Sequence, residues 1–132
     1  MAPPQGLKRG EEAISYDVYL RHENGETCEV PRVEEGGTFV FGGSTEAELN
    51  VTYNYGECYH LVPIRYGVSF SIKFLDGMQA KNVIPILEHV VEVLGDKPYP
   101  DYWAPTPGNA GHAAAILLKW ARLHPDATFE VS

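Results

Sequence analysis

Ile14-Ser15-Tyr16-Asp17-Val18-Tyr19-Leu20-Arg21 places Ile14, Tyr16, Val18 and Leu20 on one side of an extended chain and Ser15, Asp17, Tyr19 and Arg21 on the other. Successive side chains of a pleated strand point to opposite faces, so period-two alternation marks a half-buried strand. Asn24-Gly25 follows. Both residues tolerate positive φ, which makes this pair the favoured two-residue hairpin turn. The return strand is then expected over 26–33. Pro31, which lacks a ladder donor, moves that strand towards a sheet edge.

Further along, Glu34-Glu35-Gly36-Gly37 reads as a turn and residues 38–41 as a short strand closed by Gly42-Gly43. Residues 48–55 alternate again, with Leu49, Val51, Tyr53 and Tyr55 on one face and Glu48, Asn50, Thr52 and Asn54 on the other. A helical turn is expected over 57–62, limited by Pro63. Val68, Phe70, Ile72 and Phe74 at period two make 66–75 extended.

From Ala80 the period changes. Ala80, Val83, Ile84, Leu87, Val90, Val91 and Leu94 recur at three-and-four spacing, an amphipathic helix that Gly95 stops. Pro85 belongs in or near the first turn of that helix, or it kinks it. The stretch 96–111 carries prolines at 98, 100, 105 and 107 with Tyr99, Tyr102 and Trp103. A second helix follows over about 109–123, burying Ala113, Ile116, Leu117 and Trp120. Pro125-Asp126 ends it before a last strand at 128–131. The fold class is α+β, a mostly antiparallel β-sheet with two α-helices packed on one face. Residues 1–12 read as a flexible arm and 13–132 as a single domain.

The 132 residues hold 10 Lys+Arg against 18 Asp+Glu, a net charge of −8 with 44% hydrophobic content. A chain of this length builds a core without disulfide or metal staples. The charge argues against long nucleic acid and anionic membrane surfaces as partners, because binding them requires phosphates to be neutralised. No apolar run reaches membrane-span length, and the N-terminus lacks the apolar core of a secretory signal. Cys28 and Cys58 are read as two reduced thiols of a cytoplasmic protein, although one bridge stays open. The five histidines form no HxH, HExxH or CxxC pattern, so no metal site is read. No cofactor is expected. The acidity is concentrated: residues 11–35 hold eight acidic side chains against two arginines, a local −6. A solvated hairpin face and a phosphate-mimicking inhibitor surface both fit that pattern.

The strongest candidate site is Trp103-Ala104-Pro105-Thr106-Pro107-Gly108-Asn109-Ala110-Gly111-His112. It sets a proline-stiffened aromatic loop before a helix N-terminus, where unpaired amides and the positive dipole end suit an anion. Gly108 and Gly111 would admit a ligand to the backbone, and His112 adds a titratable donor. Ordinary structure explains the same residues: Thr106 or Asn109 as N-cap, Gly111 for close packing, Trp103 as core. Asn50, Thr52 and Asn54 offer polar edges on one strand face, and Tyr55 among the eight tyrosines could stack on a ring. Arg65 is the basic side chain for phosphate, with Glu57 as its alternative partner.

Four pieces resemble a family of small uncharacterised proteins associated with bacteriophages, prophages and bacterial genomes. They are Tyr16-Asp17-Val18-Tyr19-Leu20, Leu49 through Gly56, Leu75-Asp76-Gly77-Met78 with Ile84-Pro85, and Tyr102-Trp103 through Gly111, together spanning about 14–131. The resemblance implies anti-defence, and specifically a homo-oligomeric sponge that traps a small anionic nucleotide-like signal without cleaving it. Asn54 and Asn109 would read polar edges, Tyr55 and Trp103 would stack, and Arg65 with the amides of Gly108 to His112 would take phosphate. Two other classes stand beside it. One is a small hydrolase or transferase with His112 or His60 as general base. The other is an acidic inhibitor acting through the 11–35 hairpin.

Overall fold

The computed structural model describes residues 15–31, 45–101 and 103–132. The arm expected at 1–12, the strand at 38–41 and Tyr102 lie outside the described residues. An antiparallel sheet combined with helices makes the fold α+β. Among the described residues its strands are β1 (Ser15–Arg21), β2 (Glu48–Thr52) and β5 (Thr128–Val131), in the order β2-β1-β5. Tyr16 stands opposite Val51 on one side of β1, and Leu20 opposite Phe129 on the other. Val18 and Leu20 of β1, Leu49 and Val51 of β2, and Phe129 and Val131 of β5 are all buried, so the alternation read in the sequence sets one apolar sheet face.

The Asn24-Gly25 turn is present but one residue longer than expected. His22 N–H donates to the Glu26 carbonyl and Gly25 N–H to the His22 carbonyl, closing a three-residue turn over 23–25. The Asn24 side chain accepts from Glu26 N–H, and Gly25 takes φ +89°. The return segment forms isolated bridges instead of a continuous strand: Arg21 pairs Thr27, and Glu29 pairs Glu46.

Expectation and structure part after Thr52. The chain leaves the strand for a 3-10 turn, Tyr53–Tyr55, which runs into the four-residue helix α1 (Gly56–Tyr59). The hydroxyl of Thr52 accepts from Asn54 N–H and starts that turn. The winding turns Tyr55 fully inward and leaves Tyr53 exposed, against the expected shared face. The 66–75 segment is likewise not one strand. It holds β4 (Val68–Ser69), paired to β3 (Pro63–Arg65), and then a 3-10 turn at Ile72–Leu75.

The long helices are α2 (Ala80–Leu94) and α3 (Pro107–Leu123), the two expected, and with the short α1 the described residues hold three α-helices. Pro85 sits at the sixth position of α2, beyond the first turn, with its ring on the exposed side. Gln79 gives α2 no side-chain cap. Instead, Ala80 N–H donates to the Ala127 carbonyl and Lys81 N–H to the Pro125 carbonyl, so a neighbouring segment caps this helix. α2 and α3 pack against each other, and their buried residues join the sheet face in one core that includes Trp120, Tyr55, Tyr59, Phe70 and Phe129. Each such side chain contributes about 1.5–3 kcal/mol by burial. No helix among the described residues is long and apolar enough to cross a membrane.

Two features of this packing carry testable consequences. A Cβ at Gly111 would lie 1.5 Å from the Gly95 carbonyl oxygen, and one at Gly108 2.0 Å from that of Lys97. Both clashes are with backbone, which cannot step aside as a side-chain tip can. Gly111→Ala is therefore expected to lower the unfolding free energy in urea by about 3 kcal/mol or more. Gly56→Ala, which meets only open space, should raise it by up to about 1 kcal/mol. Tyr59 is the second feature. Burial, followed by the neighbouring Tyr55, pushes its phenol well above the ordinary 10.0. Its hydroxyl donates to the Ala110 carbonyl at 2.9 Å. Because the folded-state value is raised, this group's contribution is intact below about pH 10 and is lost as pH climbs towards the folded value. Tyr59→Phe should flatten that alkaline decline in unfolding measurements, at a cost of about 1 kcal/mol at neutral pH.

Candidate functional site

Candidate functional side chains collect at the two ends of α3. At its N-terminal end, Thr106 is the N-cap and its hydroxyl accepts from Asn109 N–H at 3.1 Å. Pro107, at the first helical position, has no N–H to leave unpaired. At most the Gly108 amide is then left for an anion in the first three positions.

Asn109 is fully buried, an uncommon place for an amide side chain. Its Oδ1 accepts from Tyr99 N–H at 2.7 Å, and its Nδ2 donates to the Asp101 and Ala104 carbonyls, both at 3.0 Å. Both amide donors and the carbonyl are engaged, so Asn109 serves as the internal tie of the 99–104 loop. Gly108 and Gly111 face the backbone of residues 95–97, and their missing side chains admit that segment instead of a ligand. His112 is half-buried, with Nε2 enclosed and lacking a hydrogen-bond partner among the described residues.

What this loop presents outward is aromatic. Trp103 is 43% exposed, Tyr53 43% and Tyr99 55%. Asn54 Nδ2 donates to the Trp103 carbonyl at 2.8 Å, and Trp103 N–H donates to Asp101 Oδ1 at 3.1 Å. The Cys58 thiol donates to the Pro105 carbonyl at 3.3 Å. Tyr53 in turn stands edge-on to Tyr16, ring centres 4.6 Å apart. Asn54 and Trp103 are thus brought together, whereas Tyr55 is fully buried and faces Tyr59. Arg65 stands exposed on β3 and, among the described residues, pairs with neither Glu57 nor another carboxylate. The expected row of Asn50, Thr52 and Asn54 is broken up. Asn50 Nδ2 donates across the sheet to Ser15 Oγ and Asp17 Oδ1, and Thr52 is buried at the 3-10 cap.

At the C-terminal end of α3 the structure assembles a group that no spacing pattern announced. His22, Cys28 and His124 each present a potential ligand atom, and all three atoms lie within 4.8 Å of one another. The hairpin turn sets Cys28 opposite Leu20, on the strand face that His22 shares, and His124 caps α3. The two imidazoles stand edge-on, ring centres 5.4 Å apart. They line a surface cleft of about 920 Å³ together with Glu23, Asn24, Gln79 and Asp126. Cys28 is fully buried, and burial pushes its thiol above the ordinary value, as it also does for Cys58. Both thiols are free. The signal that could have pointed here is a histidine and a cysteine flanking an Asn-Gly turn. The third member is about a hundred residues away in the chain.

Comparison with family models, with curated proteins and with solved structures finds no match. What the two ends of α3 can do therefore rests on their own geometry. The tie made by Asn109 is directly testable. Asn109→Ala should cost about 2–3 kcal/mol, since it strips partners from one amide and two carbonyls. Hydrogen exchange should show faster exchange at Tyr99 and Ala104, with the β1–β5 amides unchanged.

Proposed function

We propose that the protein binds a small phosphate-bearing, nucleotide-like molecule at the aromatic surface beside the α3 N-terminus and sequesters it without chemical change. The observation that carries this reading is the exposed Trp103. Tryptophan is highly buried on average, whereas Trp103 is 43% exposed, and Asn54 and Asp101 hold the backbone that presents it. A pre-set aromatic face can stack on any base, a contact worth about 1–3 kcal/mol per base. With Tyr55 buried, the second stacking ring in this reading is Tyr53. In this reading Asn54, bonded to the Trp103 carbonyl, reads a polar edge, the Gly108 amide takes phosphate oxygen, and Arg65, exposed on β3, is the cation offered for the countercharge. Thr106, Asn109, Gly111 and His112 build the platform from below.

The oligomer belongs to the same reading. Leu61, Tyr66 and Val68 are exposed on and beside the β3–β4 hairpin, and a second copy of the chain would cover them. Free thiols suit a cytoplasmic sponge of the anti-defence kind that the family resemblance implies. The enclosed Nε2 of His112 makes it a poor general base, which leaves the exposed His60 as the base of the hydrolase reading.

The test is thermal unfolding of the full chain against cyclic mononucleotides, cyclic dinucleotides and ADP-ribose derivatives. A binding member at a hundredfold excess over its dissociation constant stabilises by about 2.7 kcal/mol. It should be recovered intact, and Trp103→Ala should abolish the shift. If no member of the panel moves the midpoint, the reading fails.

A further inference from the structure

We propose that His22, Cys28 and His124 form a binding site for one transition-metal ion of the zinc type at the C-terminal end of α3. The site is independent of the nucleotide reading, which concerns the opposite end of that helix.

The donor set is selective. Two imidazoles and one thiolate are borderline-to-soft ligands that suit Zn²⁺ or Co²⁺ and do not suit Mg²⁺ or Ca²⁺, which prefer oxygen. Zinc bonds of about 2.0–2.1 Å to nitrogen and 2.3 Å to sulfur in a tetrahedron place donors roughly 3.3–3.6 Å apart. The three donors here stand within 4.8 Å, so the site must contract by about an ångström. His22 can supply that movement, since its side chain is exposed at the hairpin tip. Cys28 is the fixed point. Its N–H donates to the Leu20 carbonyl and its own carbonyl accepts from Ala47 N–H.

His124 is already oriented. Its Nε2 lies 2.6 Å from the Glu29 carbonyl oxygen, and a carbonyl can only accept, so Nε2 carries the proton. The lone pair is then on Nδ1. A metal-bound histidine whose other nitrogen donates to a backbone carbonyl is the common outer arrangement of such sites, because the bond fixes tautomer and ring together.

The surroundings favour a cation. His124 caps the C-terminal, negative end of a 17-residue helix. Glu23 and Asp126 line the cleft, and the described residues 15–31 hold four acidic side chains against Arg21, a net −3. The acidity that disfavours polyanions draws a divalent ion to this hairpin. A buried thiolate alone would be costly, and a directly bound divalent ion offsets that cost. With three protein ligands, the fourth position opens on the cleft of about 920 Å³ and takes water.

Cobalt titration of the chelator-treated full-length protein tests this. One Co²⁺ per chain should produce the intense visible bands of a tetrahedral ion with a thiolate-to-cobalt charge-transfer band, and zinc should bleach both stoichiometrically. Cys28→Ser should lose the charge-transfer band, but that residue is in the core, so His22→Ala is the decisive variant. It alters an exposed side chain, and should weaken cobalt binding at least about tenfold without moving the metal-free thermal midpoint. Cys58→Ser should keep the full spectrum. The proposal is overturned by any of three results: no tetrahedral spectrum with cobalt, a spectrum that survives both His22→Ala and His124→Ala, or one that disappears with Cys58→Ser.

Discussion

The structure depends on one contact between two stretches of backbone. The first two turns of α3 lie against residues 95–97, where α2 has just ended, so closely that a Cβ at Gly108 or Gly111 would fall within 2.0 Å of a carbonyl oxygen. No side chain mediates this approach, and none could replace it. It sets the start of α3, and from that start Asn109 gathers the 99–104 loop and Ala110 meets Tyr59. α3 then passes through the core at Trp120 to deliver His124 beside the hairpin. Both candidate sites are consequences of where this helix begins.

A second dependence runs through the connection from α3 to β5. Residues 77–80 lie alongside 127–129: Gly77 N–H donates to the Phe129 carbonyl, Phe129 N–H to the Met78 carbonyl and Ala80 N–H to the Ala127 carbonyl. That pairing caps α2 in place of a side chain. It also places Gln79 and Asp126 on the cleft that His22 and His124 share. The cleft is therefore built from turns and caps whose backbone groups are engaged by neighbours distant in the chain, which keeps short polar segments in place without a core of their own.

Sequence pattern was most legible where one periodicity ran unbroken. The β1 alternation, the three-and-four stripe of α2 and the Gly95 stop all appear as read, with Gly95 at φ +79°. It misled where period two continued beyond the strand. Leu49 to Tyr55 alternates throughout, yet a 3-10 turn begins at Tyr53, because the Thr52 hydroxyl offers Asn54 N–H a local partner that the ladder does not. Candidate site residues divide along the same line. Trp103 and Asn54 come together as a surface, whereas Tyr55 is drawn into the core. Asn109 was legible as a helix-start residue, but its three side-chain bonds depend on loop carbonyls that no local pattern reveals.

By itself the sequence determined the α+β class, the half-buried character of β1 and the two long helices, together with the charge that disfavours polyanions. These are local or additive properties, set by alternation, helical spacing and counting. Only the tertiary structure decided what the glycines of α3 are for, which aromatic rings meet water, and that His22, Cys28 and His124 share a place. Those outcomes depend on distances between segments up to about a hundred residues apart, and such distances exist only once the two ends of α3 have been fixed by packing.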